Sequence, residues 1–405
     1  MRILQVDKFF YNRGGSSKVF FDTIKGLRER GHEVAEFSML GGKNLPSEYS
    51  KYFSKEIPEL KSKLGISGKW RIFRHLFRSK DVEKKLSALI GDFNPEVAHI
   101  HNAYHQLSAS TFITLHRKNI PTVLTVHDVF PLCPNHSLMK GETLGEDYFK
   151  NKPLNCLRYK CIDDKFLPSL AGTLEAYYYK AKIWDRIDRF ICPSEFMKNK
   201  MVEYGFPESK MRLIRNPFIM PEKVLPLGTK VVYIGRLHAE KGIKIFMEAA
   251  KKLQDFEIIV AGTGPEEQWV KNFISEQQLS NVSLVGWVEK EQWQKMMKDA
   301  RVIVVPSVFL ENCSISILEA LSYGRIVVAS DRGGNPELVI NGETGFLCRP
   351  EDSDDLARAI TEAMNLTDVQ VKKVIKKGRE LVEKNHDPER YFEELERVYS
   401  EIIIN

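Results

Sequence analysis

Along the chain, short apolar runs alternate with longer segments in which apolar residues recur every three or four positions. In the first half the runs are ILQV, EVAEF, VAHIH, TVLTV and RFICP. Their length and β-branched content predict buried strands, and the segments 16–29, 107–117, 169–183 and 195–204 carry helical spacing. The alternation then restarts with KVVYIG, EIIVAG, VSLVGW, RVIVVPS, IVVAS and GFLC, again separated by helical stretches. Strand–helix alternation builds parallel sheets with helices on both faces. Between the two series lies NPFIMPEKVLPLGT, whose three prolines and one glycine read as a linker. The pattern predicts an α/β chain of two doubly wound domains, residues 1–217 and 218–385, joined near 217–229. The last stretch, PERYFEELERVYSEIIIN, is amphipathic at helical spacing. Residues 386–405 are therefore expected to form a helix that packs back on the first domain.

Composition narrows the class. A chain of 405 residues that is 43% hydrophobic and 28% charged suits a globular enzyme with more than one core. No apolar run reaches the roughly 18 residues that span a bilayer. The opening MRILQVDKFF reads as a first strand and not as a signal peptide, which predicts a cytoplasmic protein. Six scattered cysteines in so long a chain do not suggest a disulfide framework and fit a reducing compartment.

Charge is unevenly spread. Residues 1–218 hold 36 Lys and Arg against 24 Asp and Glu, whereas residues 219–405 hold 24 against 30. The first half is thus expected to face something anionic. Residues 51–85 alone carry eleven basic and four acidic side chains. Within them KWRIFRHLFRSK brings Trp70, Phe73, Leu76 and Phe77 together on a helix, with Arg71, Arg74, Arg78 and Lys80 around them. A basic helix bearing aromatics suits an anionic membrane surface. A helix that merely packs on its own domain would bury Trp70.

In doubly wound sheets, ligands sit outside the carboxyl ends of the strands. The loop RLHAEKG places Arg236 and Lys241 there, just before a helix, where cations, amide donors and helix dipole can act together on a diphosphate. The loop TGPEEQ after Gly262 lacks the third glycine of a dinucleotide fingerprint and reads as a tight turn with Pro265 at the helix start. In ENCSISILEA, Glu311 and Glu319 bracket otherwise apolar sequence. Carboxylates in such surroundings are costly unless paired. With Glu311 ahead of a helix and Glu319 inside it, the amides of 313–316 lie between two hydroxyl-binding acids. A nucleotide-sugar has that order of groups.

The stretch ENCSISILEALSYGRIVVASDRGGNPELVINGETGFL, with its two glutamates eight apart, resembles the signature of the family 4 retaining glycosyltransferases. IGRLHAEKGI and VAGTGP resemble that family's phosphate loops, HIHNAYHQLS and TVHDVFPLCPN its motifs in the first domain, and RGGSSKVF its glycine loop. The resemblance runs from about residue 1 to 385 and implies a GT-B fold, with donor bound mainly by the second domain and acceptor by the first. It implies that Arg236 and Lys241 hold the donor diphosphate, Glu319 the ribose and Glu311 the transferred sugar, with His127 near the reacting centre. Gly14, Gly15, Gly262, Cys313, Ser314 and Ile315 would complete the donor site, and His101, Asn102, Tyr104 and Asp128 the acceptor side. It further implies a UDP-sugar or GDP-sugar as substrate, a glycan or polyprenyl-linked acceptor, no cofactor, no metal and no nucleic acid. Retention would proceed by front-face attack, without a protein nucleophile. A nucleotide-sugar 2-epimerase of the same fold and a silent sugar-nucleotide-binding protein are the alternatives. Two departures bear on the donor sugar: Asn312-Cys313-Ser314 after the first glutamate, and Arg332 before Gly333-Gly334.

Three further patterns carry other readings. The DSD at 352–354 precedes DLARAI and predicts a helix cap. His99 and His101 share a strand face and could ligate a metal, although imidazoles in such clefts more often bind hydroxyls or pack. Cys133, His136, Cys156 and Cys161 have a loose zinc-site spacing.

Overall fold

The computed structural model describes residues 1–57, 66–150 and 152–403. Strands β1 (Arg2–Val6), β2 (Glu33–Phe37), β3 (Val97–Ile100) and β4 (Thr122–Thr125) open the first sheet. A small antiparallel hairpin follows, β5 (Met139–Lys140) and β6 (Thr143–Leu144), before β7 (Arg189–Cys192) and β8 (Met211–Leu213) complete it. The second sheet contains β9 (Lys230–Ile234), β10 (Ile258–Ala261), β11 (Val282–Gly286), β12 (Ala300–Val305), β13 (Ile326–Ser330) and β14 (Phe346–Cys348). The orders are β2-β1-β3-β4-β7-β8 and β11-β10-β9-β12-β13-β14, parallel throughout. These are the two doubly wound sheets that the pattern predicts. Helices cover both faces, so strands such as β13 are buried along their whole length and read as unbroken apolar runs.

Strand order reverses beside β1 in the first sheet and beside β9 in the second. Such switch points open a crevice at the carboxyl ends of the strands. The loops after β1, β3 and β4 carry Gly14, Asn102 and His127, and those after β9 and β12 carry Lys241 and Glu311.

Some elements escape the sequence pattern. Strand β8 has three residues, too few for a period to register. The helix Lys80–Phe93 lies in the charged stretch, where its apolar positions Val82, Leu86, Leu89 and Ile90 are diluted; Ser79 caps it. The linker is not loose. Arg325, buried in the second domain, donates to the carbonyls of Leu225 (2.5 Å), Pro226 (2.9 Å) and Ala300 (2.6 Å) and so straps residues 225–226 to that domain.

The helix Pro388–Ile403 leaves the second domain and packs on the first. Tyr391, Phe392, Leu395, Val398 and Tyr399 share one core cluster with Ile3, Phe20, Ile24 and Leu27. Arg30 ties its flank through Glu396 at 2.8 Å and Glu389 at 2.6 Å.

Part of the basic stretch, residues 58–65, lies outside the described residues. The helix Ile66–Phe77 follows. Ile72 and Leu76 are buried, while Trp70 is 60% exposed, stacked on Phe73 at 5.4 Å. Phe77 meets Tyr178 of the helix Phe166–Lys182 at 5.3 Å. That second helix also turns Phe166, Leu167, Leu174 and Tyr177 to solvent, residues that fall on one side at helical spacing.

Candidate active site

A cavity of about 260 Å³ lies in the cleft and is walled by both domains. From the first domain come Gly15, Ser16, Asn102, His127, Asp128 and His136; from the second come Lys241, Glu311, Cys313, Ser314, Ile315 and Ser316. Two helices point their N-termini into it, Gly15–Glu29 and Ile315–Ser322. Their first-turn amides have no partner within the helix, and their dipoles favour an anion. A Cβ on residue 15 would lie 2.8 Å from Ile315 Cγ1, so glycine there lets the two N-termini meet.

Lys241 projects into the cavity from the turn before the helix Ile243–Ala250. Its Nζ lies 2.9 Å from Glu311 Oε1 and 4.4 Å from the centre of the Phe309 ring. Glu311, only 8% exposed, also accepts from Ser307 Oγ at 2.7 Å. Its backbone is pinned by the loop after β13: Gly334 N donates to the Glu311 carbonyl at 2.7 Å. A side chain at 333 would collide with that carbonyl and strain a backbone at φ +62°, which explains the glycine. Arg236 stands apart from the cavity wall. It is 57% exposed and its guanidinium is paired with Glu240. Gly262 also lies outside the wall, with its backbone packed on the Gly235 carbonyl.

Glu319 is half-buried on the helix Ile315–Ser322, and its carboxyl is pushed up by desolvation, partly offset by Lys18 of the first domain. Among the described residues no hydrogen bond or contact ion pair holds it. A carboxylate in that state is poised for a ligand's hydroxyls.

His127 belongs to a file of imidazoles. Its Nε2 lies 2.8 Å from His101 Nδ1, and His101 Nε2 lies 3.2 Å from Gln5 Oε1. His99, beside His101, is held by Thr125 Oγ1 and by the Tyr399 hydroxyl, both at 2.7 Å. The C-terminal helix thus buttresses the histidine wall. These contacts occupy His99 and His101 in packing and hydrogen bonds, the commoner role weighed for them. Burial pushes His127 down to about 4 and His99 to about 3. His386, bonded to the Asn216 carbonyl, is also lowered by burial to about 4.

These three imidazoles set an acid limit on stability. The unfolded chain binds their protons near pH 6.5, the folded chain only near 3 to 4. Lowering the pH through that window favours the unfolded state. Asp7, raised by burial to about 6, and Glu319, also raised by burial, work in the opposite sense, but burial lowers His101, His136 and His75 as well, so the imidazoles outnumber the two acids. The thermal midpoint is expected to fall steadily from pH 6.5 towards 4. A midpoint that holds or rises over that range would contradict neutral burial of these histidines.

On the acceptor side, Asn102 lines the cavity and donates to Asp7 Oδ2 at 3.2 Å. Asp128 accepts from Phe130 N at 2.9 Å and sits 3.0 Å from His136 Nδ1. Desolvation would raise its carboxyl, but His136, the Phe130 amide and Lys8 outweigh that and hold it down to about 2. Two candidates on this side lie elsewhere. Tyr104 is buried in the core against Phe130 and Trp184, and His101 is wholly buried behind His127. Both sit on the strand-to-loop segment that also carries Asn102, and the turn of the chain there sends their side chains inward.

Other expectations are also corrected. Cys156 and Cys161 form a disulfide, because the single turn Leu154–Arg158 brings their Cα atoms within 4.8 Å. The free-thiol expectation fails there, and two of the four candidate zinc ligands are joined to each other. A third, Cys133, donates to Asn135 Oδ1 at 3.2 Å. Asp352 caps the helix Ser353–Met364 by accepting from the amides of Asp354 and Asp355. Of the two departures from the family pattern, Asn312-Cys313-Ser314 lies on the cavity wall, whereas Arg332 is not among the lining residues. Asn312 clasps the domains together, donating to the Val126 carbonyl at 2.6 Å and accepting from Ser194 Oγ at 2.7 Å. Arg332 donates to the Val308 carbonyl at 2.7 Å and pairs with Glu351. Asn312 and His136 are site residues whose roles the sequence did not reveal.

Residues 13–218 match the model of Glycosyltransferase Family 4, and residues 221–381 match that of Glycosyl transferases group 1. The chain belongs to glycosyltransferase family 4. An uncharacterized glycosyltransferase of Methanocaldococcus jannaschii, MJ1178, is 22% identical over 99% of both chains. The amylovoran biosynthesis glycosyltransferase AmsK of Erwinia amylovora is 28% identical over 47% of this chain, a match that spans about half, 50%, of that relative. Among solved structures, Anabaena Alr3699/HepE in complex with UDP and glucose superposes with a TM-score of 0.70 at 18% identity, covering 99% of both chains. The GT-B fold expected from the sequence is the one observed.

Proposed function

We propose that this family 4 glycosyltransferase moves a sugar from a nucleoside diphosphate donor to a hydroxyl of a glycan or polyprenyl-linked acceptor, with retention of configuration, in synthesis of a cell-surface polysaccharide. One observation carries the reading: a cleft cavity lined by two helix N-termini, Lys241 and Glu311, with Glu319, which has no hydrogen-bond partner among the described residues, on one of those helices. The amylovoran relative and the UDP and glucose bound by the Anabaena protein support it. Diphosphate binds at the N-terminus of Ile315–Ser322 with Lys241 and a swung Arg236; ribose hydroxyls donate to Glu319; the sugar reaches Glu311 and His127. The bond from the anomeric carbon to the diphosphate oxygen breaks as a bond to the acceptor oxygen forms on the same face. The departing phosphate oxygen takes the acceptor's proton. Lys241, Arg236 and the two dipoles meet the charge that develops on the leaving group, as a divalent cation does in other enzymes. Incubation with UDP-sugars and GDP-sugars plus lipid-linked glycans, with anomeric configuration read by NMR, tests this. A released free epimer would instead identify a 2-epimerase, and tight binding without turnover a silent binder.

The reading extends to where the reaction takes place. No described helix is long and apolar enough to cross a membrane. The exposed Trp70 and the apolar side of Phe166–Lys182, beside Arg71, Arg74 and Arg78, suit adsorption to the anionic inner face of the cell membrane. Each basic residue near such a surface contributes on the order of 1 kcal/mol, screened by salt. The chain is expected to co-sediment with anionic but not neutral liposomes at low salt. Arg71→Glu with Arg74→Glu should abolish this and keep the thermal midpoint. Indifference of the wild type to anionic liposomes would end the membrane proposal and leave the enzyme assignment untouched.

A further inference from the structure

Behind the cleft wall, four titratable side chains run in single file into the first domain. Asp128 Oδ2 lies 3.0 Å from His136 Nδ1, His136 Nε2 lies 2.7 Å from His105 Nε2, and His105 Nδ1 lies 2.7 Å from Glu175 Oε2. Asp128 and His136 line the cavity, whereas Glu175 is wholly buried on the helix Phe166–Lys182. His105 and His136 both adopt left-handed backbone, at φ +61° and +60°. That conformation is uncommon for residues with a side chain, is energetically costly, and gathers at functional sites. Glu175 has no hydrogen bond among the described residues; its contact with His105 is an ion pair.

The file can be counted in protons. Each contact brings two lone-pair atoms within 3.0 Å, which is repulsive unless a proton lies between them. Three contacts need three protons, and two neutral imidazoles carry two. With both carboxylates ionised, one imidazole therefore holds an extra proton. The extra proton is placed at the buried end, on His105 between Glu175 and His136, where an unpaired carboxylate costs most. His136 is then neutral, accepting from His105 at Nε2 and donating from Nδ1 to Asp128. Among the described residues, Phe130 N also donates to Asp128, and the neighbouring His75 and Tyr179 give no hydrogen bond to Glu175. Lys8, Tyr104 and His127 also neighbour the outer end of the file.

We propose that Glu175, His105 and His136 are positioning residues that fix Asp128 as a hydrogen-bond acceptor for a non-reacting hydroxyl of the acceptor glycan, beside the one that attacks. This deepens the glycosyltransferase reading and rests on it for the identity of the hydroxyl. Loss of the extra proton leaves two protons for three contacts. The wholly buried end, where an unpaired carboxylate costs most, keeps its proton. The shortage passes outward, His136 switches to its Nε2–H tautomer, and its bare Nδ1 repels Asp128. Glu175→Gln cures this, because the amide supplies its own N–H to His105 and the two neutral imidazoles then satisfy the rest.

The test is 15N-histidine NMR of the full chain from pH 6 to 9, with His105 assigned from His105→Gln. In the wild type, His105 is expected to carry both protons at pH 7, and its titration should switch His136 from Nδ1–H to Nε2–H. In Glu175→Gln, His105 should be neutral throughout, with His136 fixed as Nδ1–H. A neutral His105 in the wild type at pH 7 would overturn the proposal, and that spectrum decides it even if the variant folds poorly. In kinetics, the wild-type KM for acceptor should rise about tenfold, the equivalent of about 1.4 kcal/mol, from pH 7 to 9. The KM of Glu175→Gln should stay flat, and an equal rise in both would also overturn it. The expected spectra without transfer to any acceptor would uphold the file and refute the glycosyltransferase reading.

Discussion

Replacing Lys241 with alanine is expected to lower kcat/KM by at least about 10²-fold, the scale of losing one charge stabiliser of a transition state. Lys241 is the cation that the fold delivers to the cavity wall. It is held 2.9 Å from Glu311 and over the Phe309 ring, so it is ordered before the donor arrives. Negative charge grows on the diphosphate only as the sugar leaves, so the loss should fall on kcat more than on donor affinity. Arg236→Ala is expected to cost about tenfold or more. Its pairing with Glu240 is at the surface and costs only about 0–1 kcal/mol to break, so the guanidinium is available to swing to the diphosphate. Steady-state rates with thermal midpoints as a folding control check both. Near-normal turnover in the two variants would remove the clamp from the mechanism.

The second large effect separates the two glutamates. Glu319→Gln is expected to weaken binding of the free nucleoside diphosphate by about 10- to 100-fold, the worth of hydrogen bonds to a charged group. Its carboxylate has no hydrogen-bond partner among the described residues, so it is free to accept from a ligand's hydroxyls. Glu311→Gln should leave diphosphate affinity nearly intact and cut transfer, because Glu311 is the residue proposed to meet the sugar, on the cavity wall beside Lys241. Calorimetry with diphosphate and with intact donor distinguishes the two. Equal loss of diphosphate affinity in both variants would merge roles that the geometry keeps apart: Glu311 is tied to Ser307 and Lys241 in the loop, Glu319 stands on the helix opposite Lys18.

By itself the sequence determined the two parallel sheets and the loops that bear the chemistry. Strands buried on both faces must be written as unbroken apolar runs, and the helices between them as amphipathic repeats, so both periods survive in one dimension. Glu311 and Glu319 stood out for a similar local reason, since carboxylates beside apolar sequence need a partner, and Lys241 because it stands just before a helix N-terminus. What the sequence could not give was anything set by approach between distant segments. His136, which read as a loose metal ligand, meets His105 and Asp128 only after the loops fold over β4. Glu175 is one acid in an ordinary helical pattern until Phe166–Lys182 buries it against His105. Asn312 departs from the family pattern in order to bridge Val126 and Ser194, 186 and 118 residues away. Tyr104 and His101 share a motif with Asn102, yet only Asn102 lines the cavity, because the direction of a side chain where a strand turns into a loop follows from packing and not from spacing.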